Sequence, residues 1–258
     1  MNHDFVQEVI EWFTPINLQN FNATANFLDR IDKKFIVHRD ILPALLAEIQ
    51  KDFYVLEIDW RTIFGYKSVY MDTEDYDFYS HHAKWSKKRV KIRNRQYTDS
   101  GTTFFEFKQK DKKLTRKFRY QVRPELVDHV DKEGHRFVDW IFQSIYSKPV
   151  PKLSSALTTQ YKRITFAWKH SHEKLTIDMG LEFIDTRNKS KSIRYEHFAI
   201  IESKSISNNR KAIEMLEKFG LKPQKRLSKY CLWIAYHGNH KLIDRFKDTL
   251  DVIEKLKK

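Results

Sequence analysis

Between residues 84 and 119 the chain carries 14 Lys/Arg against 3 acids, a net charge of +11. Residues 1–80 hold 7 Lys/Arg and 14 Asp/Glu, a net of −7. Cations concentrated in so short a segment call for a polyanionic partner: nucleic acid, nucleotide, polyphosphate or an anionic membrane. Their spacing is that of β-strands, in which residues of one parity share a face. Over 89–97, Arg89, Lys91, Arg93, Arg95 and Tyr97 fall on one face, and Val90, Ile92, Asn94 and Gln96 on the other. Glu106, Lys108 and Lys110 align against Phe105 and Phe107, and Arg30, Asp32 and Lys34 against Ile31 and Phe35. Glu202 aligns with Lys204. One such strand alone would be an ordinary half-exposed sheet element. Four or more with mostly basic polar faces, most of them holding a carboxylate, suit a closed barrel whose charged faces point into a lumen. That lumen repels itself unless an anion and a metal fill it. Cations then bind phosphate oxygens, and scattered carboxylates hold a bridging divalent ion.

The elements that must position these residues can be read along the chain. Apolar spacing predicts a leading helix over 4–13, then a break at Pro15. Residues 28–38 read as a strand, and Asp40 can cap a helix over 40–51 with Ile41, Leu45, Leu46 and Ile49 on one face. Strands are predicted at 53–59 and 63–72, with a short helix from Glu74 to Trp85. Residues 88–98, 102–110 and 114–122 are β-rich, turned at Asp99-Ser100-Gly101 and Asp111-Lys112-Lys113. A helix over 134–146 precedes strands at 157–168, 174–184 and 192–204. The helix near 208–219 ends at Gly220. Residues 225–236 are ambiguous and lean towards strand, and an amphipathic helix closes the chain at about 240–256. The pattern is α+β: an antiparallel barrel or strongly curved sheet with helices around it, and one domain over 1–258.

Composition narrows the class. Across 258 residues, 41% are hydrophobic and 14% aromatic, with 6 Gly and 6 Pro, enough to build a core and unlike a disordered chain. The lone Cys231 excludes an internal disulfide and a cysteine-based zinc cluster. No apolar run approaches a membrane span, and Met1-Asn2-His3-Asp4 lacks a signal-peptide pattern, so a soluble, cytoplasmic protein is expected.

Short motifs then occur in an order that resembles a known family, the triphosphate tunnel metalloenzymes of the CYTH-like superfamily, and within it the VTC (vacuolar transporter chaperone) domain of polyphosphate polymerases. Arg30-Ile31-Asp32-Lys33-Lys34-Phe35 is similar to the family's opening strand, and Val69-Tyr70-Met71-Asp72-Thr73 to its Tyr-Phe-Asp-Thr. Lys91-Ile92-Arg93-Asn94-Arg95-Gln96-Tyr97 resembles the Arg-x-Arg-x-Tyr strand, and Phe105-Glu106-Phe107-Lys108 the Glu-x-Lys strand, with Arg116-Lys117 after it. Tyr161-Lys162-Arg163, Lys174-Leu175-Thr176-Ile177-Asp178, Ile201-Glu202-Ser203-Lys204 and Leu227-Ser228-Lys229-Tyr230 resemble the later elements.

The resemblance implies an eight-stranded antiparallel tunnel around ATP and inorganic polyphosphate. Lys34, Arg93, Arg95, Lys108, Lys110, Lys117, Arg163, Ser228 and Lys229 would bind phosphates. Arg93, Arg95, Lys108, Arg163 and Tyr161 would surround the transferring group, and Glu202 would hold Mn or Mg. The implied reaction moves the γ-phosphate of ATP onto a growing polyphosphate chain. Arg30 stands where tunnel triphosphatases carry their first Glu, which favours polymerase over hydrolase. Asp32 replaces a Glu, so its service as a metal ligand is open, as it is for Glu106 and Asp178. Two other readings remain: metal-dependent triphosphate or nucleoside triphosphate hydrolysis, and a non-catalytic polyphosphate-binding module. A nucleic-acid-binding role is disfavoured, since no ribonucleoprotein strand motif or zinc finger is present.

Overall fold

The structure is a computed structural model that describes residues 3–23, 31–112, 114–170, 172–188, 191–205, 211–237 and 242–257. Arg30 and Lys113 lie outside them. In order, the elements are α1 (His3–Ile10), β1 (Thr14–Ile16), α2 (Leu18–Ala23), β2 (Ile31–His38), α3 (Leu42–Ile49), β3 (Phe53–Leu56), β4 (Ile63–Asp72) and α4 (Asp77–Ala83). Next come β5 (Lys88–Tyr97), β6 (Thr103–Asp111), β7 (Leu114–Val122), α5 (Lys132–Tyr146), β8 (Ser154–Trp168), β9 (Lys174–Asp185), β10 (Ser192–Tyr195) and β11 (Phe198–Ser205). Helices α6 (Lys211–Lys218), α7 (Lys229–His237) and α8 (Lys247–Lys255) follow.

Eight strands run in the unbroken order β2-β11-β9-β8-β4-β5-β6-β7, and every neighbouring pair is antiparallel. The short strands β1, β3 and β10 attach to this path, with β1 parallel to β3. Among the described residues the end strands β2 and β7 are not hydrogen-bonded to each other, so the curved sheet is not closed by a backbone ladder.

The apolar parity of each strand packs outward against helices. Phe35, Val37, Ile164, Phe166, Ile177 and Ile201 share a core with α1, α3 and α6. On the other side, Val90, Ile92, Phe105 and Phe107 meet Val138, Ile141 and Phe142 of α5. Burying each such side chain contributes roughly 1.5–3 kcal/mol, which commits the opposite, charged parity to the inside.

Two local features set the inside. Gly180, at φ 58°, sits where the β8–β9 register slips between Gln160 and Lys162. A bulge of this kind bends the strand and re-aims side chains, and glycine takes the left-handed conformation at little cost. Helix α7 shares a second cluster with the inward-facing Ile36, Tyr70, Leu157, Tyr161 and Ile200. Asp72 fastens it: the carboxylate accepts from the N–H groups of Thr73, Phe78 and Tyr79 and from the hydroxyl of Tyr230 in α7.

Several sequence expectations need correction. Residues 225–236 lean towards strand in the sequence, yet 229–237 are helix. Tyr230, Cys231, Leu232, Trp233, Ile234 and Ala235 are all buried, so the segment has no polar face from which a helical period could be read. The single strand expected over 192–204 is two, β10 and β11, both paired to β9. The closing helix expected at about 240–256 is, among the described residues, a 3₁₀ turn at Ile243–Phe246 followed by α8. Strand β1 and helix α2 escape notice in the sequence because each is too short to show a period.

Candidate functional site

Inward-facing residues of all eight strands border one cavity of about 440 Å³, completed by Leu227, Ser228 and Lys229 at the start of α7. Among the described residues ten Lys/Arg line it (Lys34, Lys91, Arg93, Arg95, Lys108, Lys117, Arg119, Arg163, Lys204 and Lys229) against four acids, Asp32, Glu106, Asp178 and Glu202. The lumen is therefore basic by six formal charges.

Cross-strand register builds the arrangement row by row. Arg93, Glu106 and Arg119 stand opposite one another on β5, β6 and β7, and Lys91, Lys108 and Lys117 form the adjacent row. On the other wall, Arg163 faces Asp178 across β8–β9, and Glu202 faces Lys34 across β11–β2. Direct neighbours across an antiparallel pair lie close enough for side chains to meet.

Three carboxylates are held in ionic clamps. Asp178 takes a two-pronged contact from Arg163, at 2.5 and 2.7 Å, and a further contact from the Lys229 ammonium. Glu106 accepts from Arg93 Nε at 2.6 Å, with Arg95 3.9 Å away. Glu202 bridges Lys34 at 2.9 Å and Lys204 at 3.2 Å. In each case burial opposes ionisation and the cations overcome it. Arg163 and Lys229 hold Asp178 at about 2, and Arg93 and Arg95 hold Glu106 at about 2. Lys204 and Lys34 keep Glu202 well below the usual carboxylate range.

The lysine row behaves in the opposite way. Enclosure by protein, then the like charges of Lys117 and Lys91, pull Lys108 down to about 8, with Asp32 only partly offsetting them. Tyr70, stacked on Tyr230 at 5.0 Å, accepts from Arg93 Nη1 at 3.3 Å. Burial raises its pKa, but Arg93, Lys91 and neighbouring cations lower it to about 8. Lys91 donates to Ser228 Oγ at 2.9 Å, tying β5 to the start of α7.

Of the residues expected at the site, Lys34, Arg93, Arg95, Lys108, Lys117, Tyr161, Arg163, Glu202, Ser228 and Lys229 all border this cavity. Lys110 does not. It has the parity of Lys108 but stands one row further along, opposite Arg89 and Thr115, past the end of the cavity. Lys91, Arg119, Lys204 and Tyr70 also line the lumen, and the first three share parity with recognised neighbours on their own strands. Glu106 and Asp178 serve as counter-charges to arginines and lysines.

Among the described residues no three His, Cys, Asp or Glu side chains converge on a point that could hold a metal. A cage built from protein ligands alone does not fit. A single ionised carboxylate, Glu202, does fit a Mg- or Mn-type ion that takes its other ligands from substrate phosphates and water.

A curved antiparallel sheet wrapped around a basic lumen, with helices outside, defines the triphosphate tunnel class of protein. The sequence sharpens that class: a model of the VTC domain family matches residues 29–237, and the chain belongs to that family. A solved structure of a putative adenylyl cyclase from Hippeastrum, described as having a dominant triphosphatase activity, shares the fold. Its TM-score is 0.51 at 11% identity over 80% of this chain and 95% of that one. A putative adenylate cyclase from Bacillus halodurans aligns at 14% identity over 78% and 94% of the two chains, TM-score 0.49. No curated protein matches the sequence. No helix among the described residues is long and apolar enough to cross a membrane.

Proposed function

We propose that the protein is a polyphosphate polymerase: it transfers the γ-phosphate of ATP to the terminal phosphate of a growing polyphosphate chain held in the lumen. One observation carries this reading over hydrolysis. The lumen's three clamped carboxylates, Glu106, Asp178 and Glu202, are held ionised, with depressed pKa values, by adjoining cations. Such groups are poor general bases, and among the described residues no histidine lines the cavity. A phosphate terminus arrives already ionised and needs no base, which favours it over water as the acceptor.

Phosphoryl transfer asks the protein mainly for positioning and charge neutralisation. Arg93, Arg95 and Arg163 present planar forks suited to two phosphate oxygens at once, and Lys34, Lys108, Lys117 and Lys229 act as point charges along the chain. The clamps keep the arginine forks in place before substrate arrives, so little reorganisation accompanies binding. Ser228 and the Tyr161 and Tyr70 hydroxyls add neutral hydrogen bonds. Glu202 would hold a Mg or Mn ion together with phosphate oxygens, and that ion supplies further neutralisation of the transferring group. Lys34 and Lys204 would then turn from Glu202 to phosphate.

The test is incubation with ATP and Mn, followed by gel separation of products. Chains longer than triphosphate are expected. Orthophosphate without chain growth would establish hydrolysis instead, and binding without turnover a polyphosphate-binding module.

A further inference from the structure

Trp85 occupies a position that local backbone chemistry disfavours for it. Helix α4 ends in a Schellman turn, in which Ser86 N–H donates to the carbonyl of His81 at 2.9 Å and Trp85 N–H to that of His82 at 3.1 Å. Trp85 is the left-handed residue of this turn, at φ 58°, where glycine is preferred and a bulky side chain is strained. Backbone conformations of this kind cluster at active sites and ligand clamps. The indole is 53% exposed.

Its surroundings point to a ligand. The guanidinium of Arg89 lies 4.7 Å from the indole centre and that of Arg226 5.8 Å from it. Both residues lead directly into the lumen. Arg89 precedes Lys91 by two residues on the same face of β5, and Arg226 adjoins Leu227, Ser228 and Lys229, which line the cavity. Lys91 and Ser228 are joined by their own hydrogen bond. A half-exposed flat aromatic, with two arginines over its ring, thus stands just outside the cavity, beside its lysine row.

We propose that Trp85, Arg89 and Arg226 form a subsite for the base and ribose of the nucleoside triphosphate donor, with the base stacked on the indole and the phosphates directed past Arg89 to Lys91 and Ser228. This rests on the reading of the lumen as a triphosphate site. Stacking is tolerant of base identity, so ATP and GTP should both use it, whereas inorganic tripolyphosphate has nothing to place there.

The experiment compares ATP and tripolyphosphate binding by calorimetry in the wild type and in Trp85→Gly. Glycine relieves the left-handed strain, so the variant should fold with an unchanged or higher melting temperature. Its affinity for ATP should fall about tenfold while that for tripolyphosphate stays constant. An unchanged ATP affinity overturns the subsite, as does an equal fall for both ligands, which would place Trp85's influence on the lumen itself. Arg226→Ala should show the same selective loss, and a loss for tripolyphosphate there would also overturn the proposal. If the wild type binds neither ligand, the triphosphate reading fails and the subsite with it.

Discussion

The two walls of the lumen solve the problem of enclosed positive charge differently. On the β8–β9–β11–β2 side, cations come with carboxylates: Asp178 between Arg163 and Lys229, Glu202 between Lys34 and Lys204. On the β5–β7 side one clamp, Glu106 on Arg93, is followed by a row in which Lys91, Lys108 and Lys117 place three ammonium groups in register with no carboxylate in that row. The first wall is organised before any ligand arrives. The second is under electrostatic load, seen in the depression of Lys108 to about 8, and an anion relieves it. One wall fixes geometry; the other drives binding.

Substitution of Asp178 should produce the largest effect. Asp178→Asn leaves Arg163 and Lys229 enclosed without their counter-charge, and losing one partner of a buried pair costs about 3–5 kcal/mol. Urea unfolding should show that loss, with partial recovery on adding tripolyphosphate. A stability within about 1 kcal/mol of wild type would mean that this wall is not held by its clamps.

Glu202→Gln comes next and acts on function more than on folding. Chain synthesis from ATP should fall close to zero at limiting metal, while polyphosphate affinity is kept or rises because Lys34 and Lys204 are released. Synthesis at the wild-type rate would remove Glu202 as the metal ligand.

Lys108→Met tests the loaded wall. A lysine depressed to about 8 in the folded protein, against about 10.5 in the unfolded chain, carries a destabilisation that is complete below pH 8. Between these values the unfolded chain binds more protons, so wild-type stability should rise with pH across that window more steeply than that of the variant. Tripolyphosphate binding at pH 8 should take up about half a proton less in Lys108→Met than in wild type, measured by calorimetry in buffers of different ionisation enthalpy. Equal proton uptake would show that Lys108 is not under load.

The smallest effect belongs to Lys110→Ala. Standing one row past the cavity, it should change phosphate affinity by less than about twofold. A tenfold loss would make Lys110 itself a phosphate contact.

Lys110 also marks the limit of what strand alternation discloses. Parity alone tells which face a residue occupies, and on that basis Lys34, Arg93, Arg95, Lys108 and Glu202 are readable from the chain. Depth along the strand is another matter: it depends on where the cavity ends, which is set by the register of several strands and by α7. The clamps were hidden for the same reason, since Arg163 meets Asp178 only through the β8–β9 register, itself shifted by the bulge at Gly180. Helix α7 was the hardest element, because a segment buried on all sides offers no periodicity. The ordering of motifs along the chain, rather than any single one, made the tunnel legible.

The bond between Asp72 and Tyr230 joins residues 158 positions apart. During synthesis, β4 is therefore made long before the helix that fastens to it. A nascent chain that has reached residue 225 already contains all eight wall strands, yet lacks Ser228, Lys229 and the hydroxyl that anchors them. The grip on phosphate is thus completed by the start of α7, which follows the last wall strand in the chain, rather than by the sheet itself.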